Sequence, residues 1–143
     1  MSWTLIASGL SVNGGTGSGN SITLNTVGAD LIVAVGNGYS DAAPGSVTDN
    51  QSNTFSSAVY KNSGQSRAGL QIFYVHNPTT SASHTFTKSL GSNADFVVLA
   101  YSGSAASPLD QTNSAVVAPG GKSDQAGSIT PSQSNELIIF AVS

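Results

Sequence analysis

The chain has no cysteine, and only 8% of its 143 residues are charged. Without cysteine there is no disulfide frame, no thiolate metal site and no cysteine nucleophile. The charged fraction lies far below the about 25% usual in soluble globular proteins, whereas Ser, Thr and Asn together make up roughly a third of the chain. Surface polarity therefore rests on hydroxyls and amides. Lys61, Lys88, Lys122 and Arg67 are the only permanent cations, and the net charge is −3. No basic stripe is available to neutralise a row of phosphates, which disfavours nucleic acid as a partner. The apolar runs at 31–35 and 137–142 fall well short of the ~20 residues of a membrane-spanning helix, and no basic amphipathic stretch is present. A membrane partner is not expected.

Catalytic constellations are equally sparse. His76 and His84 are the only histidines, and there is no Gly-x-Ser-x-Gly elbow. A serine nucleophile needs a base and a group that orients it, and zinc needs more ligands than two histidines supply. His76, before Asn77-Pro78, is read as a strand-end residue, and His84, alternating with Phe86, as part of an edge strand. The glycine-rich stretch from Asn13 to Asn20 is followed by neither Lys-Ser/Thr nor a helix, so it is a turn and not a phosphate cradle. Glu136 and the six Asp residues are candidates for a glycosidase pair. Asp41, Asp110 and Asp124, however, sit in loops, and Asp49 and Asn53 read as turn formers. No enzyme activity and no cofactor are expected, and no metal ligand set is named.

What the chain does contain is strand. Clusters of Gly, Ser, Asn, Thr and Asp separate short runs rich in Val, Ile, Leu, Phe and Tyr, with no sustained 3.6-residue period. Strands are expected around Trp3 to Ser8, Ser21 to Asn25, Leu31 to Val35, Phe55 to Lys61, Leu70 to His76, Ser83 to Lys88, Phe96 to Tyr101 and Leu137 to Val142. The continuous run Leu31-Ile32-Val33-Ala34-Val35 predicts a strand covered on both faces. Residues 46–55 look like a hairpin, and a second hairpin joins Phe55–Lys61 to Leu70–His76. Three segments place an acid just before a buried strand: Ala29-Asp30-Leu31-Ile32-Val33, Ala94-Asp95-Phe96-Val97-Val98 and Asn135-Glu136-Leu137-Ile138-Ile139. The acids are read as caps for loop N–H groups in preference to a shared ion site. Residues 102–128, broken by Pro108, Pro119 and Gly120-Gly121, are expected to cross between sheets. The whole, residues 1–143, reads as one all-β module, an antiparallel two-sheet β-sandwich of jelly-roll or immunoglobulin-like type.

The five phenylalanines fall in apolar or alternating runs and are assigned to the core. Trp3, the single tryptophan, stands at a sheet edge among Ser2 and Thr4. Tyr39 sits in the polar loop Asn37-Gly38-Tyr39-Ser40-Asp41, and Tyr60 precedes Lys61-Asn62 at a hairpin end. Tyr74 is ambiguous between core and surface, and Tyr101 reads as a strand-end residue that hydrogen-bonds across the sandwich. Rings that stack on pyranose faces, with amides fixing orientation, make a sugar site. The candidate ligand-binding residues are accordingly Trp3, Tyr39 and Tyr60 with Asn37, Asp41 and Gln71.

The segments Gly28-Ala29-Asp30-Leu31-Ile32-Val33-Ala34-Val35, Val47-Thr48-Asp49-Asn50-Gln51-Ser52-Asn53-Thr54-Phe55, Ile72-Phe73-Tyr74-Val75-His76-Asn77 and Tyr101-Ser102-Gly103-Ser104-Ala105-Ala106-Ser107-Pro108-Leu109-Asp110 together resemble a module repeated in large secreted and cell-wall-associated bacterial proteins. The sequence is similar to the carbohydrate-binding modules attached to bacterial endoglucanases. That resemblance implies a two-sheet sandwich that recognises a plant cell-wall β-glucan, β-1,4 or mixed-linkage or a xyloglucan, and targets an attached glycoside hydrolase outside the cell. Met1 runs straight into strand-like sequence, which fits a module excised from a longer secreted protein. The alternative expectation is a structural or adhesive repeat of a bacterial surface protein with no sugar ligand.

Overall fold

Alternation of apolar and polar residues with period two places one side-chain row of each strand inward, and the computed structural model shows eight strands built this way. It describes residues 2–12, 20–38, 45–62, 69–89, 95–116 and 125–142. The strands are β1 (Thr4–Ser11), β2 (Asn20–Leu24), β3 (Leu31–Gly38), β4 (Ser46–Asp49), β5 (Ser56–Asn62), β6 (Gly69–His76), β7 (His84–Ser89) and β8 (Phe96–Ser102). No helix occurs among the described residues. A five-stranded sheet has the order β1-β8-β3-β6-β5 and a three-stranded sheet the order β2-β7-β4, with every pairing antiparallel. The chain is thus the expected all-β, two-sheet sandwich.

The core lies between the sheets. Ile32, Ala34, Phe73, Val75, Phe96, Val98 and Ala100 of the larger sheet meet Ile22, Val47 and Phe86 of the smaller. Phe86 is fully buried and meets Phe55 edge-on at 6.3 Å. Each such ring contributes about 1.5–3 kcal/mol through removal of apolar surface from water. The sheets approach closely beside Gly9, where a Cβ would come within 2.6 Å of Ile22 and 2.9 Å of Leu24. β3 is bonded on both sides and, as its uninterrupted apolar run predicts, is buried on both faces over Leu31, Ile32, Val33 and Ala34.

Several expectations change. Residues 46–55 are not a hairpin: β4 pairs with β7 in the small sheet and β5 with β6 in the large one, so the turn carries the chain from sheet to sheet. Within it Asp49 Oδ1 accepts the N–H groups of Gln51 (3.0 Å) and Asn53 (2.9 Å), the turn role expected of it. His84 is not on an edge, because β7 is the middle strand of its sheet and the residue is fully buried. The described part of 102–128 does not cross to the other sheet, and the expected last strand at 137–142 joins neither sheet. Phe140, assigned to the core, is 60% exposed. An apolar strand is buried only when a free sheet edge or face receives it, and the described residues 137–142 pair with neither sheet.

Candidate functional site

The outer face of the large sheet is as apolar as its inner face, because β3 and β6 supply Leu31, Val33, Ile72 and Tyr74 to it while Val59 comes from β5. The described segments 103–116 and 125–142 arch over this face and line a cleft of about 850 Å³, within the ~300–1,000 Å³ usual for ligand sites. Its floor is aliphatic, and Trp3 and Tyr74 are among its lining residues, with the largely exposed Phe140 at its border. Opposite the floor stand the amides Gln111, Asn113, Gln133 and Asn135, together with Asp110 and Glu136. No Lys or Arg lines the cleft among the described residues.

Local sequence explains how this arch is fixed. Asp30, at the entry to β3, accepts the N–H groups of Gly103 (2.9 Å) and Ser104 (3.1 Å) on its two carboxylate oxygens. This is the capping role expected for the acid. Gly103 has φ +92°, and a Cβ there would meet the Ser2 carbonyl oxygen at 2.2 Å, so the turn out of β8 requires glycine. Further along, Asp110 accepts the Ser132 N–H (2.8 Å) and hydroxyl (2.7 Å), tying the two limbs of the arch together. The Ser132 hydroxyl and then its N–H hold the Asp110 carboxyl below the usual value, with burial opposing them and Glu136 adding the smallest lowering contribution. Glu136 Oε1 in turn accepts the Gln133 N–H at 2.8 Å, the second acid found to cap a loop.

Trp3 is the ring that joins β1 to the arch. Its Nε1–H donates to the Asn135 carbonyl at 2.9 Å, and its ring meets Tyr101 edge-on at 6.3 Å. Tyr101 therefore buttresses Trp3, and among the described residues its hydroxyl makes no bond across the sandwich. Burial pushes its phenol above the usual value.

The six residues expected to bind ligand are not brought together. Trp3 lines the cleft; Tyr39 and Asp41 lie outside the described residues. Tyr60 is half-buried on β5. Asn37 is committed to the framework, since its Oδ1 accepts the Asp95 N–H at 2.6 Å. Gln71 points into the core, 2% exposed, where Nε2 donates to Ser57 Oγ at 2.9 Å and Oε1 has no partner among the described residues. Sequence reading passed over Tyr74 and the amides of the arch. The signal for Tyr74 lay in its row: it alternates with core Phe73 and Val75 and shares its side of β6 with Leu70 and Ile72, a row that is half-buried and not exposed.

Two buried polar clusters lie inside the sandwich. His84 is held between Thr26 Oγ1, 2.8 Å from Nδ1, and Asp49 Oδ2, 2.9 Å from Nε2, with its ring stacked on Phe86 at 4.1 Å. Burial acts to raise the Asp49 carboxyl, but bonds from the Asn53 side chain and backbone, from His84 and from Gln51 outweigh it and hold the group below its ordinary value. An ionised carboxylate only accepts, so Nε2 carries a proton. Thr26 and His84 are fully buried, and no substrate reaches this hydroxyl–imidazole–carboxylate chain. It fastens the Asp49 turn to β7. At the other end, Lys88 is 3% exposed and donates from Nζ to the carbonyls of Asn37 and Asp95, both at 2.8 Å. Burial pushes its ammonium down to about 8, against the opposing pull of the Asp95 carboxylate.

No group of three or more His, Cys, Asp and Glu suited to a metal ion occurs among the described residues. No family model, curated protein or solved structure matches the chain.

Proposed function

We propose that the chain is a non-catalytic module that binds a neutral polysaccharide in the cleft between the large sheet and the segments 103–116 and 125–142. Its ligand class is a plant cell-wall β-glucan, β-1,4 or mixed-linkage or a xyloglucan, which it presents to an attached glycoside hydrolase outside the cell. The observation that carries this reading is the composition of the cleft: rings of Trp3 and Tyr74 beside an aliphatic floor, faced by neutral amides, with no cation among the described lining residues. Rings cover the apolar faces of a pyranose, and amides pair with its hydroxyls in both donor and acceptor roles. A stacked ring contributes about 1 kcal/mol and association costs several, so affinity falls in the micromolar to millimolar range. Neutral sugar leaves no ion pair to screen, and binding is insensitive to salt.

The test is retention of the protein in gels containing mixed-linkage β-glucan, xyloglucan or xylan. Retardation that weakens in Tyr74→Ala with the melting temperature preserved supports the reading; equal migration of wild type in every gel removes it. A second reading, a structural or adhesive repeat without a sugar ligand, is favoured by a separate feature, the uncharged outer edge of β1.

A further inference from the structure

Four strands form the edges of the two sheets, and three of them are guarded. β4 has four residues and includes Asp49, β2 has five, and β5 carries Lys61 and a register shift between Ser57 and Val59. Shortness, charge and bulges are the devices that keep open edges from pairing with other chains. β1 is different. It spans eight residues without a charge or a proline, and its register shift between Leu5 and Ala7 leaves residues 7–11 regular. Leu5 and Leu10 on it are 52% and 63% exposed, and Val12 just beyond it is 68% exposed.

The same chain carries a strand without a sheet. In residues 137–142 exposure alternates, with Ile138, Phe140 and Val142 outward at 64%, 60% and 57%. Among the described residues none of their backbone groups makes a hydrogen bond. Six uncharged, strand-forming residues with free N–H and C=O groups have the chemistry that adds to an open edge. The segment begins two residues beyond Asn135, whose carbonyl accepts the Trp3 Nε1–H, yet on its own chain it joins neither sheet.

We propose that residues 137–142 of one copy add as a strand to the outer edge of β1 in a second copy, joining chains head to tail. Donor and acceptor are both uncharged and, among the described residues, both without a strand partner on that side; six donor residues face a strand of eight, and each chain presents one of each. A heterologous contact of this kind propagates instead of closing at a dimer. The cleft and the neighbouring edge are alternative seats for the segment, so the proposal does not depend on sugar binding and is tested without sugar.

The experiment is sedimentation velocity on the whole chain across a wide concentration range. Wild type is expected to gain mass continuously beyond two chains. Leu10→Lys blocks the acceptor edge, and Ile138→Lys with Phe140→Lys blocks the donor; each is expected to sediment as one chain with wild-type far-UV circular dichroism. An equimolar mixture of the two is expected to form a species of two chains and no larger, because each variant retains one working half. Should Leu10→Lys lose its fold, Ser8→Lys, exposed on the same edge, takes its place. Wild type that stays a single chain at every concentration overturns the proposal. So does a donor variant that associates as wild type does, which would mean that two β1 edges pair with each other, and so does a mixture of folded variants that remains single chains.

Discussion

Ala29-Asp30-Leu31-Ile32-Val33 and Asn135-Glu136-Leu137-Ile138-Ile139 are nearly the same local sequence with opposite fates. In both, the acid caps loop N–H groups, Gly103 and Ser104 for Asp30 and Gln133 for Glu136. After Asp30 the chain becomes β3, hydrogen-bonded on both sides and buried on both faces. After Glu136 it lies unpaired with alternate side chains in water. Strand-forming capacity is thus local, whereas membership of a sheet depends on finding an open partner. Among the described residues β1 to β8 pair with one another, and 137–142 joins neither sheet.

This contrast has energetic consequences. Phe86→Ala removes a fully buried ring from the centre of β7 and should cost about 3–5 kcal/mol, whereas Phe140→Ala should change stability by less than about 0.5 kcal/mol. Urea denaturation of the two variants measures the difference, and equal losses would break the distinction between the regions. Asp49→Ala leaves the buried His84 imidazole and several turn N–H groups without their acceptor, a loss of about 3 kcal/mol. Because the folded carboxyl sits below its ordinary 3.8, its contribution is present above that value and is lost as pH falls below it through the folded value. The variant should therefore show a shallower acid limb in its stability profile.

Lys88 acts in the same direction at alkaline pH. Its folded value is about 8 against an ordinary 10.5, so between those limits the unfolded chain holds a proton that the folded chain has released. Stability rises with pH across the window, by an amount on the order of 3 kcal/mol at its upper end. Comparing urea midpoints at the two ends of the window with those of Lys88→Met checks this, since the variant lacks the titrating group and the rise should vanish. The smallest effect is at the arch. Tyr74→Ala should weaken glucan retention about fivefold, the equivalent of about 1 kcal/mol for one stacked ring, and leave the core residues Phe86 and Ile32 untouched.

Much of the fold was legible in the sequence because inward rows such as Phe73 and Val75, or Phe96 and Val98, declare themselves by period two, and because Asp49, Asn53 and Gly103 are turn chemistry. The sheet to which a strand belongs was not, which is why residues 46–55 read as a hairpin. Burial of His84 and Lys88 was also hidden. A polar residue on an inward row looks like surface until its partners, Thr26 and Asp49 or the carbonyls of Asn37 and Asp95, are brought in from 35 to 58 residues away in one case and 7 to 51 in the other. The candidate site suffered in the same way. Trp3 was legible as a ring at a sheet edge, but the amides that face the floor of its cleft come from more than a hundred positions later.

The central claim is that the cleft between the large sheet and the arch is a sugar site. Affinity electrophoresis tests it most directly, with wild type run beside a Trp3→Ala, Tyr74→Ala double variant in gels containing mixed-linkage β-glucan, xyloglucan or xylan. The account predicts retardation of wild type by one of these polymers, unchanged by added salt, and its loss in the double variant while thermal unfolding stays cooperative. Migration of wild type equal to that of an inert protein in every gel, or undiminished retardation of the folded double variant, would contradict it.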